Sequence, residues 1–113
     1  MAALAIALTA APTSRAHAEP TAEDIEKFKW RRLLREADER ISDTKHTLES
    51  AKITRDSAAR QSVLMPTGPN LAARAAAEEA VKTAEAAIAT AEKAKVDLLE
   101  QARQAGVPPG WLR

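Results

Sequence analysis

The segment Met65-Pro66-Thr67-Gly68-Pro69-Asn70 gathers helix breakers between two long runs of helix formers. Pro66 has no amide hydrogen and pushes Met65 out of the helical region, Pro69 does the same to Gly68, and Gly68 adopts positive φ at little cost. The spacing therefore predicts a turn over residues 65–70 that ends one helix and starts another. Asn70 is the expected cap of the second helix, its side-chain oxygen accepting the free amide of Ala72 or Ala73. A connection this short favours antiparallel neighbours. The predicted fold is all-α: a long, antiparallel, coiled-coil-like two-helix hairpin with a short tail of Pro, Gly and Trp.

Upstream, Thr21-Ala22-Glu23-Asp24 reads as a capping box ahead of Ile25 and Phe28, so the first helix is expected over about residues 21–64. Its stripe of Leu34, Ala37, Ile41, Thr44, Leu48, Ala51, Arg55 and Ala58 alternates spacings of three and four, which is a heptad seam. Downstream, a second helix over about residues 71–105 carries Val81, Ala84, Ile88, Ala91, Lys95, Leu98 and Ala102 at the same spacings. Folding about Thr67 sets Leu34 opposite Leu98 and Leu99, Ile41 opposite the Ala91–Lys95 turn, and Leu48 opposite Ile88 and Ala84. Alanine dominates the second helix, which raises helix propensity and permits close approach but buries little apolar surface. Such a hairpin is expected to be marginal alone and to gain from association. Charge pairs at helical spacing are read at Glu36 with Arg40, Asp56 with Arg60 and Glu78 with Lys82.

The tail, residues 106–113, begins at Gly106, a natural left-handed cap followed by Pro108 and Pro109, which stop the helix. The fold-back places it beside Trp30, so Phe28, Trp30 and Trp111 are expected to gather at the open end. Residues 28–35 (Phe28-Lys29-Trp30-Arg31-Arg32-Leu33-Leu34-Arg35) interleave aromatic and basic side chains over two helical turns. Two readings compete there: an interfacial contact with anionic head groups, or packing of Phe28, Leu34 and Trp30 against the second helix and tail while the arginines pair with flanking acids. Acids on both sides favour packing. Trp111 likewise reads as a structural plug or an exposed anchor, with the plug favoured. The candidate partner-binding residues are Phe28, Trp30, Arg31, Arg32, Arg35 and Trp111.

Residues 1–18 read as a signal peptide. Ala2 to Ala11 is a short apolar run, Pro12-Thr13-Ser14 breaks it, and Ala16-His17-Ala18 is a small-x-small cleavage pattern. No Lys or Arg precedes the run, as would follow from a start placed downstream of the true one; an Ala-rich helix is the competing reading. On the secretory reading, residues 19–113 are the mature chain and the location is periplasmic or secreted. Cysteine is absent, which excludes disulfides, a lipidated N-terminal cysteine and thiolate metal sites. Removal of residues 1–18 takes away Arg15 and leaves the basic and acidic side chains balanced. A chain without a field of one sign is not expected to grip nucleic acid by phosphate neutralisation.

Catalytic chemistry finds little to build on. His46 is the only histidine after residue 18, and its helical neighbours Ser42, Asp43, Glu49 and Ser50 are ordinary solvated side chains; no second histidine completes a metal set. No Gly-rich elbow, phosphate loop or dinucleotide fingerprint occurs. No catalytic residue, metal, cofactor or small-molecule substrate is expected. The functional expectation is an exported, non-enzymatic structural or protein-interaction protein acting through its seam surfaces and aromatic end, by self-association or with a protein partner. The alternative is a peripheral membrane or envelope binder using Lys29 to Arg35.

Overall fold

A computed structural model describes residue 19 and residues 21–113; the signal-peptide reading falls on residues outside these. Within the described residues two α-helices, α1 (Ala22–Leu64) and α2 (Gly68–Gln104), pack along their lengths as an antiparallel hairpin, and a 3-10 turn (Pro109–Leu112) packs on α1. By helical rise the arms are about 65 and 55 Å long. Thr21 caps α1: its hydroxyl accepts the Asp24 amide at 3.2 Å while the Asp24 carboxylate accepts the Thr21 amide at 3.2 Å. Glu23 and Asp24 place negative charge at the positive end of the helix dipole.

The turn is tighter than the sequence suggested. Thr67, rather than Asn70, is the N-cap of α2; its hydroxyl accepts the Asn70 amide at 3.3 Å. Gly68 and Pro69 already belong to the helix, because proline's missing amide is no loss in a first turn where that amide would have no intrahelical partner. The Asn70 side chain is thereby released to reach back, its amide donating to the Met65 carbonyl at 2.7 Å. Gly68 does not use positive φ; among the described residues only Gly106 does.

Both seams meet as the heptads require. Every position of the α1 stripe from Leu34 to Ala58 is buried or half-buried, and so is every position of the α2 stripe from Val81 to Ala102. The stripes extend to Ser62 on α1 and Ala77 on α2. Among the described residues the buried set is Leu34, Ala77, Val81, Ala84, Ala91 and Ala102, with Ser62 as its one polar member. Small α2 side chains sink between the larger residues of α1, but two helices cannot cover Ile41 or Leu48 completely, so those stay half-buried. With roughly 0.8 kcal/mol for each buried methylene, an alanine core is thin.

Polar residues on the seams are accommodated individually. Lys95 reaches across to Asp38 at 2.6 Å, and Arg55 turns outward to Asp56 at 3.3 Å. Ser62 donates to the Ala59 carbonyl at 2.8 Å and accepts from Arg74 of α2 at 3.4 Å. No buried side-chain polar atom among the described residues lacks a partner. The surface pairing differs from expectation. Glu36 binds Arg32, Asp56 binds Arg55 and Glu78 binds Arg74, instead of Arg40, Arg60 and Lys82. Glu36 and Glu78 each have a cation four residues away on either side and take the preceding one, whereas Asp56 takes its sequence neighbour Arg55 although Lys52 and Arg60 lie four residues away on either side.

Candidate interaction surface at the open end

The end of α2 closes with a left-handed glycine. Gly106 has φ 77°; its amide donates to Arg103 at 3.1 Å and the Val107 amide to Ala102 at 3.0 Å. These are the two hydrogen bonds of a Schellman motif, and they satisfy carbonyls the helix would otherwise leave free. Pro108, extended at φ −60° and ψ 137°, turns the chain toward α1, and the 3-10 turn is closed by the Trp111 amide on the Pro108 carbonyl at 3.0 Å.

The tail is tied to α1 by polar and apolar contacts together. Arg31 donates through Nε to the Trp111 carbonyl at 3.1 Å. Trp30, Val107, Trp111 and Leu112 are each half-buried. On one side of the tail lies an open depression lined by Ala22, Glu26, Trp30, Val107, Pro108 and Trp111. On the other side a second depression is bounded by Arg31, Leu34, Arg35, Asp38 and the final residues Leu112 and Arg113. Near the end of α2, Arg103 donates through Nε to Glu100 at 3.0 Å. That hydrogen bond holds the Glu100 carboxyl below its ordinary range, aided by Gln104, and holds the Arg103 guanidinium above its own.

The expected aromatic gathering is only partly realised. Trp30, Arg31 and Trp111 come together, and Arg35 borders the second depression. Phe28 does not join them: it is 64 % exposed, beside Ile25 at 57 % on the outer face of α1. Extending the seam backward from Leu34 by four and three lands on Trp30 and Lys27, both half-buried, so Phe28 is one residue off the seam. Arg32 is engaged with Glu36 at 3.1 Å and does not reach the tail. Leu112 and Val107 contribute to the plug without having been singled out; their signal was their placement around Pro108 and Pro109, where an apolar residue has nowhere to go but the neighbouring helix.

His46 is exposed, and among the described residues no three His, Asp or Glu side chains assemble as a metal-binding group. No helix of the described residues is long and apolar enough to cross a membrane. Compared with known proteins, the chain matches no family model, and no curated protein or solved structure is significantly similar to it.

Proposed function

We propose that the protein is an exported, non-enzymatic structural or protein-interaction protein, working in the periplasm or outside the cell through the open end of its hairpin. The observation that supports this is the exposure of Ile25 and Phe28 beside the tied-down Trp30 and Trp111. Large apolar side chains held outward next to a fixed aromatic plug resemble the aromatic anchors and polar rim of a protein interface. The seams themselves are occupied by the hairpin's own pairing, so the contact surface is the outer face of α1 and the tail. A partner there would also cover apolar surface that the thin core leaves in water.

Lipid binding through Lys29 to Arg35 is the weaker alternative. Arg31 is committed to the tail and Arg32 to Glu36, and Glu23, Asp24 and Glu26 lie on the approach. The test is chemical crosslinking and sedimentation of the exported chain, wild type against Ile25→Asp/Phe28→Asp. A defined complex, either self-associated or with one protein, that the double substitution dissolves is the expected result. A stable, partnerless monomer in both cases would overturn the proposal. Intact mass of exported material should correspond to a chain beginning at Glu19; retention of Met1 in that fraction would overturn the export reading.

A further inference from the structure

The opposite end of the rod has a chemistry of its own. Between Asp56 and Glu78 the sequence contains no acidic residue and two basic ones, Arg60 and Arg74. At the tip four large apolar side chains stand in solvent: Val63 is 74 % exposed, Leu64 79 %, Met65 64 % and Leu71 50 %. Arg60 makes no ion pair among the described residues because Asp56, its expected partner, turns to Arg55. We infer that this tip inserts into the interface of an anionic lipid bilayer, with Val63, Leu64, Met65 and Leu71 below the head groups and the unpaired Arg60 among the lipid phosphates, while Arg74 stays on Glu78 and Ser62.

Three features favour a bilayer over a protein partner. The first is dimension. Arg60 lies one turn behind Leu64, so by helical rise its stem begins about 6 Å behind the apolar tip. Interfacial segments bury their apolar side by about 5–10 Å, and arginine's long stem spans the remainder. The second is backbone satisfaction, since a polar group carried into hydrocarbon without a partner is costly. Here the Met65 amide donates to Gln61 at 2.8 Å, the Thr67 amide to Met65 at 2.8 Å, the Asn70 amide to the Thr67 hydroxyl at 3.3 Å and the Leu71 amide to Thr67 at 3.0 Å. Pro66 and Pro69 have no amide hydrogen, so of the tip's amides only that of Gly68, with the carbonyls ending α1, is left to head-group water. The third is shape. The four side chains come from the last turn of α1, the loop and the first turn of α2, so they form a convex point; a fluid interface closes around such a point, whereas a folded partner would need a matching socket. The inference does not depend on the reading of the open end, which is an arm's length away.

The cysteine-free chain permits a direct test with full-length protein. A single Leu64→Cys or Phe28→Cys substitution is labelled with an environment-sensitive nitrobenzoxadiazole and mixed with vesicles of phosphatidylcholine containing phosphatidylglycerol, or of phosphatidylcholine alone. The expected result is a several-fold emission increase at position 64 on anionic vesicles, a smaller one on neutral vesicles, and no change at position 28. Arg60→Ala should weaken anionic-vesicle binding roughly fivefold, and Leu64→Ser/Met65→Ser at least tenfold. These side chains are exposed, so the helical circular dichroism should be unchanged. An unchanged signal at position 64 would overturn the inference and leave the tip to a protein contact. A rise at position 28 alone would overturn it in favour of the open end.

Discussion

Two glycines illustrate how the same residue type carries opposite consequences. Gly106 holds φ 77° at the end of α2, where a Cβ is disfavoured by roughly 1–2 kcal/mol whatever the surrounding space. Gly68 sits in the first turn of α2 without positive φ, and a Cβ added there meets nothing within 4 Å. Gly106→Ala should therefore lower the denaturation free energy by about 1 kcal/mol, whereas Gly68→Ala should raise it by roughly 0.4–1 kcal/mol through the unfolded chain. Urea titration followed by circular dichroism reads both; equal signs would mean that one of the two backbone conformations is wrong.

Glu100 gives the residue-level pH dependence. Its carboxyl is held below the ordinary range chiefly by Arg103, so the pair's contribution is fully present above the unfolded-state carboxylate pKa. It is lost as pH falls through the lowered folded-state value. A carboxyl-detected titration should place Glu100 below other glutamates, and Arg103→Ala should return it toward them; no movement would remove the pair as the cause.

Among the elements, the hairpin was legible wherever a repeat carried the information. The three-four spacing from Leu34 to Ala58 and from Val81 to Ala102 named the facing residues, and Thr21 with Asp24 named the start of α1. The fold-back alone does not tell Phe28 from Trp30, whereas extending the spacing backward from Leu34 puts Trp30 and Lys27 on the seam and Phe28 off it. Asn70 reads as the cap because both prolines look like breakers, whereas Pro69 is acceptable in a first turn and the cap is therefore Thr67. The choice of ion-pair partner was not legible at all: Glu36, Asp56 and Glu78 each have more than one cation in reach, and side-chain rotamers on a solvated face decide between them. The element-level prediction follows from the half-buried position of Leu48 on the seam. Leu48→Asp should cost about 2–4 kcal/mol and remove a large part of the helical signal at room temperature. A melting temperature equal to wild type would show that the α1 seam does not face α2.

For the whole molecule, stability is distributed unevenly. Leu34, Leu98 and the tail concentrate large side chains at the open end, whereas Arg55, Ala58, Ser62, Arg74 and Ala77 leave the half near the turn with little to bury. Trp111→Ala should lower stability by about 1–2 kcal/mol, because the half-buried indole is lost while the main-chain carbonyl that accepts from Arg31 is kept. Its tryptophan emission, then from Trp30 alone, should move to the red as the plug opens; stability within error of wild type would mean that the tail contributes nothing to the hairpin.

The hydrogen bond from Arg31 to the Trp111 carbonyl also bears on alignment. Ala77, Ala84 and Ala91 recur at heptad spacing along α2, as do Val81 and Ile88, so in the half near the turn sliding one arm by a heptad would replace seam contacts with nearly equivalent ones. What distinguishes the correct alignment is fixed length at both extremities: three residues of turn at one end, and at the other a tail just long enough to reach from Gly106 to α1. The molecule thus behaves like a ladder clamped top and bottom, in which interchangeable rungs cannot slip. Releasing the lower clamp by deleting residues 107–113 should produce a mixture of alignments, visible as doubled amide resonances for residues in the middle of both arms rather than only beside the cut.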